Sequence, residues 1–413
     1  MFETLEQQNP DAILGLSIAY RNDSNPNKVD LGVGVYKTEN GDTPVMQAVK
    51  TAELLQLENE KTKSYISPAG LTEANTALQQ LLLGSQHPAL INNRVRSLQT
   101  PGGCGALRIA AELIVRANPD ATVWVSSPTW ANHIPLLGSA GLKILEYPYY
   151  DYSNHTLEFD AMLAALEQVK AGDLVLLHGC CHNPCGADLN PTQWQRIAAV
   201  AKKVGFTPFI DMAYQGFGKG LDEDAYGLRL LATELPELII ASSCSKNFGL
   251  YRERTGMLSI IGRNSQQADV TFSNIAQLVR GIYSMPPNHG SAIVATILND
   301  STLTNDWQKE LCAMRERIQS LRSLLVQKLG EKLEKIKAPR NPLQASALHD
   351  FSFIENECGM FSFLGLKQEH VQKLINEYGI YMVDSSRINI AGLSHSNIDY
   401  VSDAIASVIS REI

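Results

Sequence analysis

The segment 242–256 holds the residue best suited to covalent chemistry in this sequence. It follows the short apolar, strand-like run 238–241 and carries one lysine, Lys246, in a turn rich in serine and glycine. A lysine that leaves a buried strand in this way is desolvated, which lowers its pKa and makes its amine a nucleophile able to form a Schiff base. Taken alone, the pattern also fits an exposed lysine in a polar loop, because short motifs often match by chance.

A second strand-like run, 207–211, ends in Asp211, and Tyr214 follows three residues later. In open α/β sheets the carboxyl ends of the strands face the crevice where ligands bind. An aspartate that pairs with a pyridinium nitrogen, together with a lysine Schiff base, is the protein's share of pyridoxal phosphate chemistry. The two segments together therefore indicate a site for pyridoxal phosphate.

Glycines open a predicted helix at Gly102 and Gly103, in the segment Thr-Pro-Gly-Gly-Cys-Gly-Ala-Leu-Arg at 100–108. Backbone N–H groups at the positive end of a helix bind phosphate well. The spacing departs from the G-x-G-x-x-G pattern of dinucleotide sites, which argues against NAD. Hydroxyl and guanidinium donors that suit the same phosphate follow later in the chain, at Ser243, Ser245 and Arg254.

The segment 178–186 allows a different interpretation, because it contains three cysteines and two histidines. Structural zinc sites usually need two separated ligand pairs, and no second pair follows at the spacing of a finger or ribbon. No metal site is therefore predicted.

Three further residues suit an amino-acid substrate. Trp130 ends a strand-like run and offers a flat face to a heteroaromatic ring, although core or interface packing is the better explanation of this residue taken alone. Arg280 and Arg387 each lie in an otherwise apolar segment, where a carboxylate is the best partner for a guanidinium group. A structural salt bridge accounts for either arginine alone, whereas the two together are what an amino acid with two carboxylates requires.

Length and composition describe an ordinary globular protein. The 413 residues suggest one large and one smaller domain, and 44% of them are hydrophobic. The net charge of −8, without a basic stripe, makes nucleic acid an improbable partner. No run is long enough for a membrane helix, and the N-terminus has no apolar signal region. Seven cysteines, two of them adjacent, suit the reducing cytoplasm.

Apolar strand-like runs alternate with helical ones after residue 121, which predicts an α/β fold with a mainly parallel sheet covered on both faces. Segment 336–350, with two prolines and no clear period, is predicted as a loop. The predicted domains are 1–45 (arm and part of the small domain), 46–312 (the large, cofactor-binding domain) and 313–413 (the rest of the small domain). The predicted strands are 122–126, 142–147, 173–178, 207–211, 238–242 and 257–261. The predicted helices are 46–60, 71–83, 131–140, 159–170, 191–204, 224–234 and 295–333.

Nearly the whole chain resembles the fold-type I pyridoxal-phosphate enzymes, and more narrowly the aspartate and aromatic aminotransferases of subgroup I. The resemblance implies Lys246 as Schiff-base lysine and proton shuttle, Asp211 on the pyridinium nitrogen, and Tyr214 and Asn183 on the phenolic oxygen. It further implies that Trp130 stacks on the cofactor ring and that His133 supports Asp211. The residues implied around the phosphate are Gly102, Gly103, Cys104, Ser243, Ser245, Arg254 and, from a neighbouring subunit, Tyr65.

The same resemblance implies substrate-binding residues and a homodimer. Arg387 would hold the α-carboxylate, Arg280 of the neighbouring subunit the distal carboxylate, and Gly34 would line the site. Shared active sites make the homodimer obligate. The chain departs from the family at Cys104, where a threonine or serine hydroxyl is usual, so that only a weak S–H donor remains.

The substrate preference receives conflicting signals. Val35, Lys37 and Thr43 match the aspartate-preferring enzymes, whereas Ile282 and Met285 make the surroundings of Arg280 more apolar and favour aromatic side chains. The favoured hypothesis is ping-pong transamination between L-aspartate and 2-oxoglutarate, and the alternative is an aromatic-amino-acid aminotransferase. A non-catalytic regulatory relative would be expected to lack the lysine or to carry a DNA-binding segment, and neither is seen.

Overall fold

The computed structural model of the chain describes residues 1–7, 12–337 and 350–410. They belong to two compact units. The large unit comprises Pro44–Glu316 and Glu357–Gly359, and the small unit comprises Met1–Thr43, Arg317–Asn356 and Met360–Ile413. The small unit is thus assembled from both ends of the chain.

The strands of the described residues are short, and most belong to the large unit. In chain order they are β1 Val29–Asp30, β2 Val95–Pro101, β3 Thr122–Ser127, β4 Lys143–Pro148, β5 Tyr150–Asp151, β6 Thr156–Leu157, β7 Leu174–His178, β8 Thr207–Met212, β9 Leu238–Ser243, β10 Thr255–Ile261, β11 Phe361–Phe363, β12 Ile380–Tyr381 and β13 Arg387–Asn389.

The α-helices connect and cover these strands. They are α1 Ala12–Asn22, α2 Gln47–Asn59, α3 Thr72–Leu83, α4 Pro88–Ile91, α5 Gly102–Ala117, α6 His133–Gly138, α7 Phe159–Leu166, α8 Pro191–Val204, α9 Leu221–Asp224, α10 Tyr226–Glu234, α11 Ser265–Ile282, α12 His289–Asn299, α13 Ser301–Lys337, α14 Gln368–Tyr378 and α15 Ile398–Ser410.

A seven-stranded sheet forms the centre of the large unit, in the order β2-β10-β9-β8-β7-β3-β4. Its pairs are parallel except for those of β10, which runs antiparallel to both β2 and β9. Consecutive residues of β7 are buried, Val175, Leu176 and Leu177 among them, so both faces of the sheet are covered. The predicted α/β class with a mainly parallel, doubly covered sheet is confirmed.

The small unit pairs its strands two by two. Strand β1 lies parallel to β12, and β11 lies antiparallel to β13. Helices α14 and α15 pack against each other, and their apolar faces are buried.

Two sequence predictions of secondary structure need correction. Region 295–333 is not one helix: α12 ends at Asn299, and α13 begins at Ser301, because the Asp300 carboxylate accepts the N–H groups of Thr302 and Leu303 at 2.8 and 2.9 Å and caps the new helix. In the predicted loop 336–350, residues 336 and 337 close α13, and 338–349 lie outside the described residues.

No helix in the described ranges has the length and apolar character needed to cross a membrane.

Candidate active site

The site begins where the central parallel strands of the large unit end. His178 at the end of β7 is the register partner of Asp211 in β8, and Met212 is the partner of Ser242 in β9. Lys246 follows β9 by three residues. Sheet register therefore brings a lysine, an aspartate and a histidine from distant parts of the chain to one edge.

Lys246 is held above an aromatic ring. Its Nζ lies 4.5 Å from the centre of the Tyr214 ring. Burial lowers the pKa of the Lys246 amine, and the negative charge of Asp211 opposes that shift only in part. A larger share of the amine is thus neutral near pH 7 than in an exposed lysine, as a nucleophile or a proton acceptor requires.

Asp211 is kept ionised by a chain of hydrogen bonds. Burial alone would raise its pKa, but the hydrogen bond from His133 and the electrostatic effect of neighbouring groups, Lys246 among them, outweigh burial and lower the pKa of the carboxyl group. His133 Nε2 lies 3.0 Å from Asp211 Oδ2, and His133 Nδ1 lies 2.8 Å from Thr129 Oγ1. The Thr129 oxygen in turn lies 3.2 Å from His178 Nε2.

The ionised carboxylate fixes the direction of this chain. His133 must donate its Nε2 proton to Asp211, and an imidazole that carries only this proton accepts the Thr129 hydroxyl proton at Nδ1. Thr129 then accepts from the Nε2–H of His178. Burial lowers the pKa of His178 to about 3, which keeps that ring neutral and leaves it one N–H to donate.

Sequence reasoning missed Thr129 and His178 as members of this site. His178 was considered only as a zinc ligand, and its ring instead stacks on His182 with centroids 4.0 Å apart. The available signal was its position at the end of a strand next to the one that carries Asp211. Trp130 meets the His133 ring edge-on at 5.2 Å, so the tryptophan and the aspartate are linked through one imidazole.

A cradle for an anion lies beside these groups, at the start of α5. Gly102 has a φ of +68°, and a Cβ there would lie 2.4 Å from Arg254 Nη2. A Cβ on Gly103 would lie 3.2 Å from the Cβ of Ser243. Arg254 Nη1 donates to Ser245 Oγ at 3.3 Å. Because these two positions are glycine, the first turn of α5 leaves open space that a side chain would fill. This space lies next to a guanidinium group and two hydroxyls.

This cradle suits a phosphate group by its donor chemistry. Backbone N–H groups at the N-terminus of α5, the Arg254 cation and serine hydroxyls are all donors to a phosphate. Cys104 is the exception, because burial raises its thiol pKa despite the nearby Arg254 charge, and a neutral thiol is a poor donor. The residues present therefore fit the phosphate of pyridoxal phosphate, with one weak position.

The remaining predicted residues of the large unit divide into buried and exposed ones. Asn183 is buried in the turn that follows β7, with 7% of its surface exposed. Tyr65 is 93% exposed. Arg280, in the last turn of α11, is also exposed and donates to the Ser284 hydroxyl. The backbone N–H of Ile66 lies 3.3 Å from the sulfur of Met285, which brings the Tyr65 segment close to the end of α11.

Gly34 and Arg387 belong to the small unit. Arg387, on β13, is 5% exposed, and its Nη2 donates to the carbonyl of Gly32 at 2.6 Å. Gly34 follows that glycine by two residues, so the small unit brings these two predicted substrate-binding positions together.

The Cys180, Cys181 and Asp224 donor atoms lie within 4.8 Å of one another, the spacing of a metal site. The Asp224 oxygens, however, already accept three backbone N–H groups, from Gly216, Gly218 and Lys219 at 2.8–2.9 Å. We therefore assign no metal to this cluster.

Comparison with known proteins identifies the family. The family model described as "Aminotransferase class I and II" matches residues 26–405. The chain belongs to this family. Aspartate aminotransferase from Haemophilus influenzae is 46% identical over 409 residues, covering 99% of this chain and all of the relative. Aromatic-amino-acid aminotransferase from Pseudomonas aeruginosa is also 46% identical, over 398 residues and 96% of each chain.

Solved structures of this aminotransferase family have the same fold. The aromatic-amino-acid aminotransferase of Burkholderia pseudomallei, described as covalently bound to pyridoxal phosphate, is 41% identical with a TM-score of 0.92 and covers 99% of both chains. The cytoplasmic aspartate aminotransferase of Saccharomyces cerevisiae is 35% identical, also with a TM-score of 0.92, over 100% of this chain and 99% of its own. The predicted family resemblance is confirmed.

Proposed function

We propose that this aminotransferase uses pyridoxal phosphate to transfer the amino group of L-aspartate to 2-oxoglutarate, yielding oxaloacetate and L-glutamate by a ping-pong mechanism. The observation that carries the proposal is the juxtaposition of a desolvated lysine, Lys246, with an ionised aspartate, Asp211, at one edge of the sheet. A structural salt bridge would not need the chain of three further polar groups that holds Asp211 ionised.

The residues that would hold the cofactor follow from the site. The start of α5 with Arg254, Ser243 and Ser245 would bind its phosphate, Asp211 its ring nitrogen, and Asn183 and Tyr214 its phenolic oxygen. When bound, pyridoxal phosphate supplies a protonated ring that withdraws electrons from the substrate's α-carbon. Trp130, joined to Asp211 through His133, would cover one face of that ring.

Lys246 would move the proton. Its neutral amine at Nζ accepts the proton of the substrate's α-carbon, which is possible near pH 7 because burial lowers its pKa. Once protonated, the ammonium group is close enough to Asp211 to interact with its charge, as the mutual effect on their pKa values indicates. Asp211 itself remains ionised throughout, so its role is electrostatic.

Two arginines would bind the substrate's carboxylates. We assign the α-carboxylate to Arg387 and the distal carboxylate to Arg280. Among the residues that the structure describes, Arg280 forms no ion pair with a carboxylate, and its guanidinium group donates to the Ser284 hydroxyl. A guanidinium group that pairs with no carboxylate among the described residues is available for a substrate carboxylate.

We further propose a homodimer in which Tyr65 and Arg280 act in the neighbouring subunit's site. Apolar side chains on the same parts of the large unit are unusually exposed, with Leu57 at 79% and Leu54 at 61% on α2 and Ile282 at 50% next to Arg280. Large apolar side chains as exposed as these mark a surface that a partner covers when they form one patch. Isologous pairing of two chains would cover both copies at once.

The aromatic alternative keeps the same site and changes only the substrate. Ile282 and Met285 place apolar side chains beside Arg280, which suits an aromatic ring better than a carboxylate. Relatives with 46% identity include both aspartate and aromatic-amino-acid aminotransferases. The domain limits at 45 and 312 and the cytoplasmic location remain predictions.

Steady-state kinetics with 2-oxoglutarate and each of L-aspartate, L-phenylalanine and L-tyrosine test the proposal. We expect the highest kcat/KM for aspartate. A higher kcat/KM for phenylalanine or tyrosine would establish the aromatic alternative, and no turnover with any of the three would refute both.

A further inference from the structure

The guanidinium group of Arg387 lies over an aromatic ring of its own unit. Its central carbon is 4.4 Å from the centre of the Phe361 ring. In the β11–β13 pair, Phe361 is the register partner of Asn389, two residues after Arg387. Diagonal positions of this kind share a face of an antiparallel pair, so the contact is built into the strand register.

The Phe361 ring is seated on a glycine. A Cβ added to Gly34 would lie 2.7 Å from Cζ of Phe361 and 3.3 Å from Cε1, closer than real side-chain contacts. Gly34 does not have a positive φ, so its backbone conformation does not call for glycine. The requirement at position 34 is therefore steric: any side chain there would push the ring away from its place beside Arg387.

The guanidinium group is also held by the turn that contains Gly32. The carbonyl of Gly32 accepts from Arg387 Nη2 at 2.6 Å. The Asp30 carboxylate holds that turn by accepting the N–H of Gly32 at 3.0 Å, and it pairs with Lys37 at 2.9 Å. One ring and one carbonyl thus restrain the Arg387 guanidinium group.

We propose that Phe361, seated on Gly34, is a positioning residue that aims the Arg387 guanidinium group at the substrate's α-carboxylate. The inference rests on the proposed function, because it takes Arg387 as the carboxylate-binding residue. It explains two further residue types in the small unit. Position 361 needs an aromatic ring to face the guanidinium group, and position 34 needs glycine to leave room for that ring. The ring supplies attraction to a cation without competing for the N–H groups that the carboxylate needs.

Replacement of the ring tests this directly. Phe361→Leu keeps an apolar side chain but removes the π-face. We expect the KM values of L-aspartate and 2-oxoglutarate to rise about tenfold with kcat unchanged, since a contact present equally before and during the reaction contributes to binding alone. Incorporation of 3,5-difluorophenylalanine at position 361, which keeps the shape and weakens the negative face, should raise KM by a smaller factor in the same direction.

The glycine seat is tested in parallel. Gly34→Ala should reproduce the rise in KM, and the double variant with Phe361→Leu should be no worse than either single variant, because both act through one ring. Gly330→Ala is the matched control, since a methyl group at this helical glycine of the same unit would have no atom of the described residues within 4 Å apart from its own helix backbone. Additive effects of Gly34→Ala and Phe361→Leu would overturn the shared mechanism.

A substrate without the carboxylate separates positioning from folding. The half-reaction with 2-phenylethylamine should be unaffected by Phe361→Leu, while that with L-phenylalanine should weaken. Equal loss with both would make Phe361 merely structural. If Arg387→Lys raises KM and Phe361→Leu does not, the positioning role is wrong and the proposed function stands. If Arg387→Lys also leaves KM unchanged, the assignment of Arg387 itself fails.

Discussion

Asp211 and Arg280 are charged side chains of the same compact unit, proposed to bind opposite ends of the reacting complex, yet their surroundings differ completely. Asp211 is bonded to His133 at 3.0 Å and, through Thr129, to His178. Arg280 is exposed at the end of α11, near the 93% exposed Tyr65. The hydrogen-bond partners of the Asp211 carboxylate thus belong to the same chain, whereas the Arg280 guanidinium group is largely surrounded by solvent.

The contrast follows from the free-energy cost of keeping each group charged in its surroundings. A buried carboxylate with no partner would take up a proton, so Asp211 needs a fixed network to remain ionised in every state of the enzyme. An exposed arginine remains charged in water at no cost and gains its partner only when a substrate carboxylate and a second subunit cover it. The buried part of the site is therefore prepared by folding, and the exposed part is left to be completed by binding.

Loss of Lys246 should abolish the chemistry of the buried part of the site. Lys246→Ala removes both the nucleophile and the proton acceptor, so we expect kcat to fall by at least about a thousandfold. The absorbance spectrum of the bound cofactor should change as well. The unfolding temperature of the cofactor-free protein should change little, because burial of the amine carries a desolvation cost that offsets its attraction to Asp211.

Lys170→Ala, a change of an exposed lysine in the same unit, should leave kcat and the spectrum unchanged. Full activity of the Lys246→Ala enzyme would contradict the proposed function as a whole.

Loss of the exposed arginine should be selective. Arg280→Ala leaves the distal carboxylate of aspartate unpaired in a partly desolvated pocket, which costs ~3–5 kcal/mol, or roughly a hundred- to several-thousand-fold in kcat/KM. Phenylalanine has no distal carboxylate, so its kcat/KM should barely change.

Arg116→Ala, at an exposed arginine that bonds the Gln277 amide at 2.7 Å, provides the control. Equal losses with aspartate and phenylalanine would show that Arg280 is a structural residue.

Loss of a hydrogen bond from the network beneath Asp211 should have a smaller effect than loss of Lys246 or Arg280. The effect should be measurable in the free energy of unfolding. Thr129→Val keeps the shape and removes the hydroxyl that bridges the imidazoles of His133 and His178, so the free energy of unfolding should fall by ~1–3 kcal/mol. Denaturant titration of the holoenzyme measures this loss. Thr271→Val is the comparison, because the Thr271 hydroxyl donates to the Gln267 carbonyl of its own helix.

The smallest effect is expected at the weak position of the phosphate cradle. Cys104→Thr replaces a thiol by a hydroxyl donor, and a neutral hydrogen bond contributes ~0.5–1.5 kcal/mol, so cofactor binding should tighten by a few-fold to tenfold. Equilibrium dialysis of the cofactor gives the dissociation constant. An unchanged constant would mean that the backbone N–H groups of α5 already saturate the phosphate.

The same contrast explains which parts of the protein could be predicted from the sequence. Apolar strands with small or charged residues after them marked Lys246 and Asp211. The bridge from Thr129 to His178 depends on the β7–β8 register and on a turn after β3, and neither can be seen in a local pattern. Tertiary contacts between distant segments determine whether this hydrogen bond can form.

Strand β2 was missed for a related reason. Its sequence, Val-Arg-Ser-Leu-Gln-Thr-Pro, looks too polar for a buried strand. In the sheet, Ser97 pairs with the Ser259 hydroxyl of β10, and Gln99 donates to the carbonyl of Pro287. Polar residues that are satisfied across a sheet resemble loop residues in the sequence, so the edge of the sheet next to β10 was not predicted.

Each site is proposed to take its buried residues from one chain and Arg280 from the neighbouring chain. Mixing two inactive variants is the most direct test of this arrangement. Lys246→Ala and Arg280→Ala chains are unfolded together, refolded and assayed with L-aspartate. If Arg280 acts in the neighbouring subunit, each hybrid dimer contains one site with both residues intact, and a random mixture should recover roughly a quarter of wild-type activity. Recovery no greater than the sum of the two separate variants would contradict the account, since Arg280 would then serve its own chain or no substrate at all.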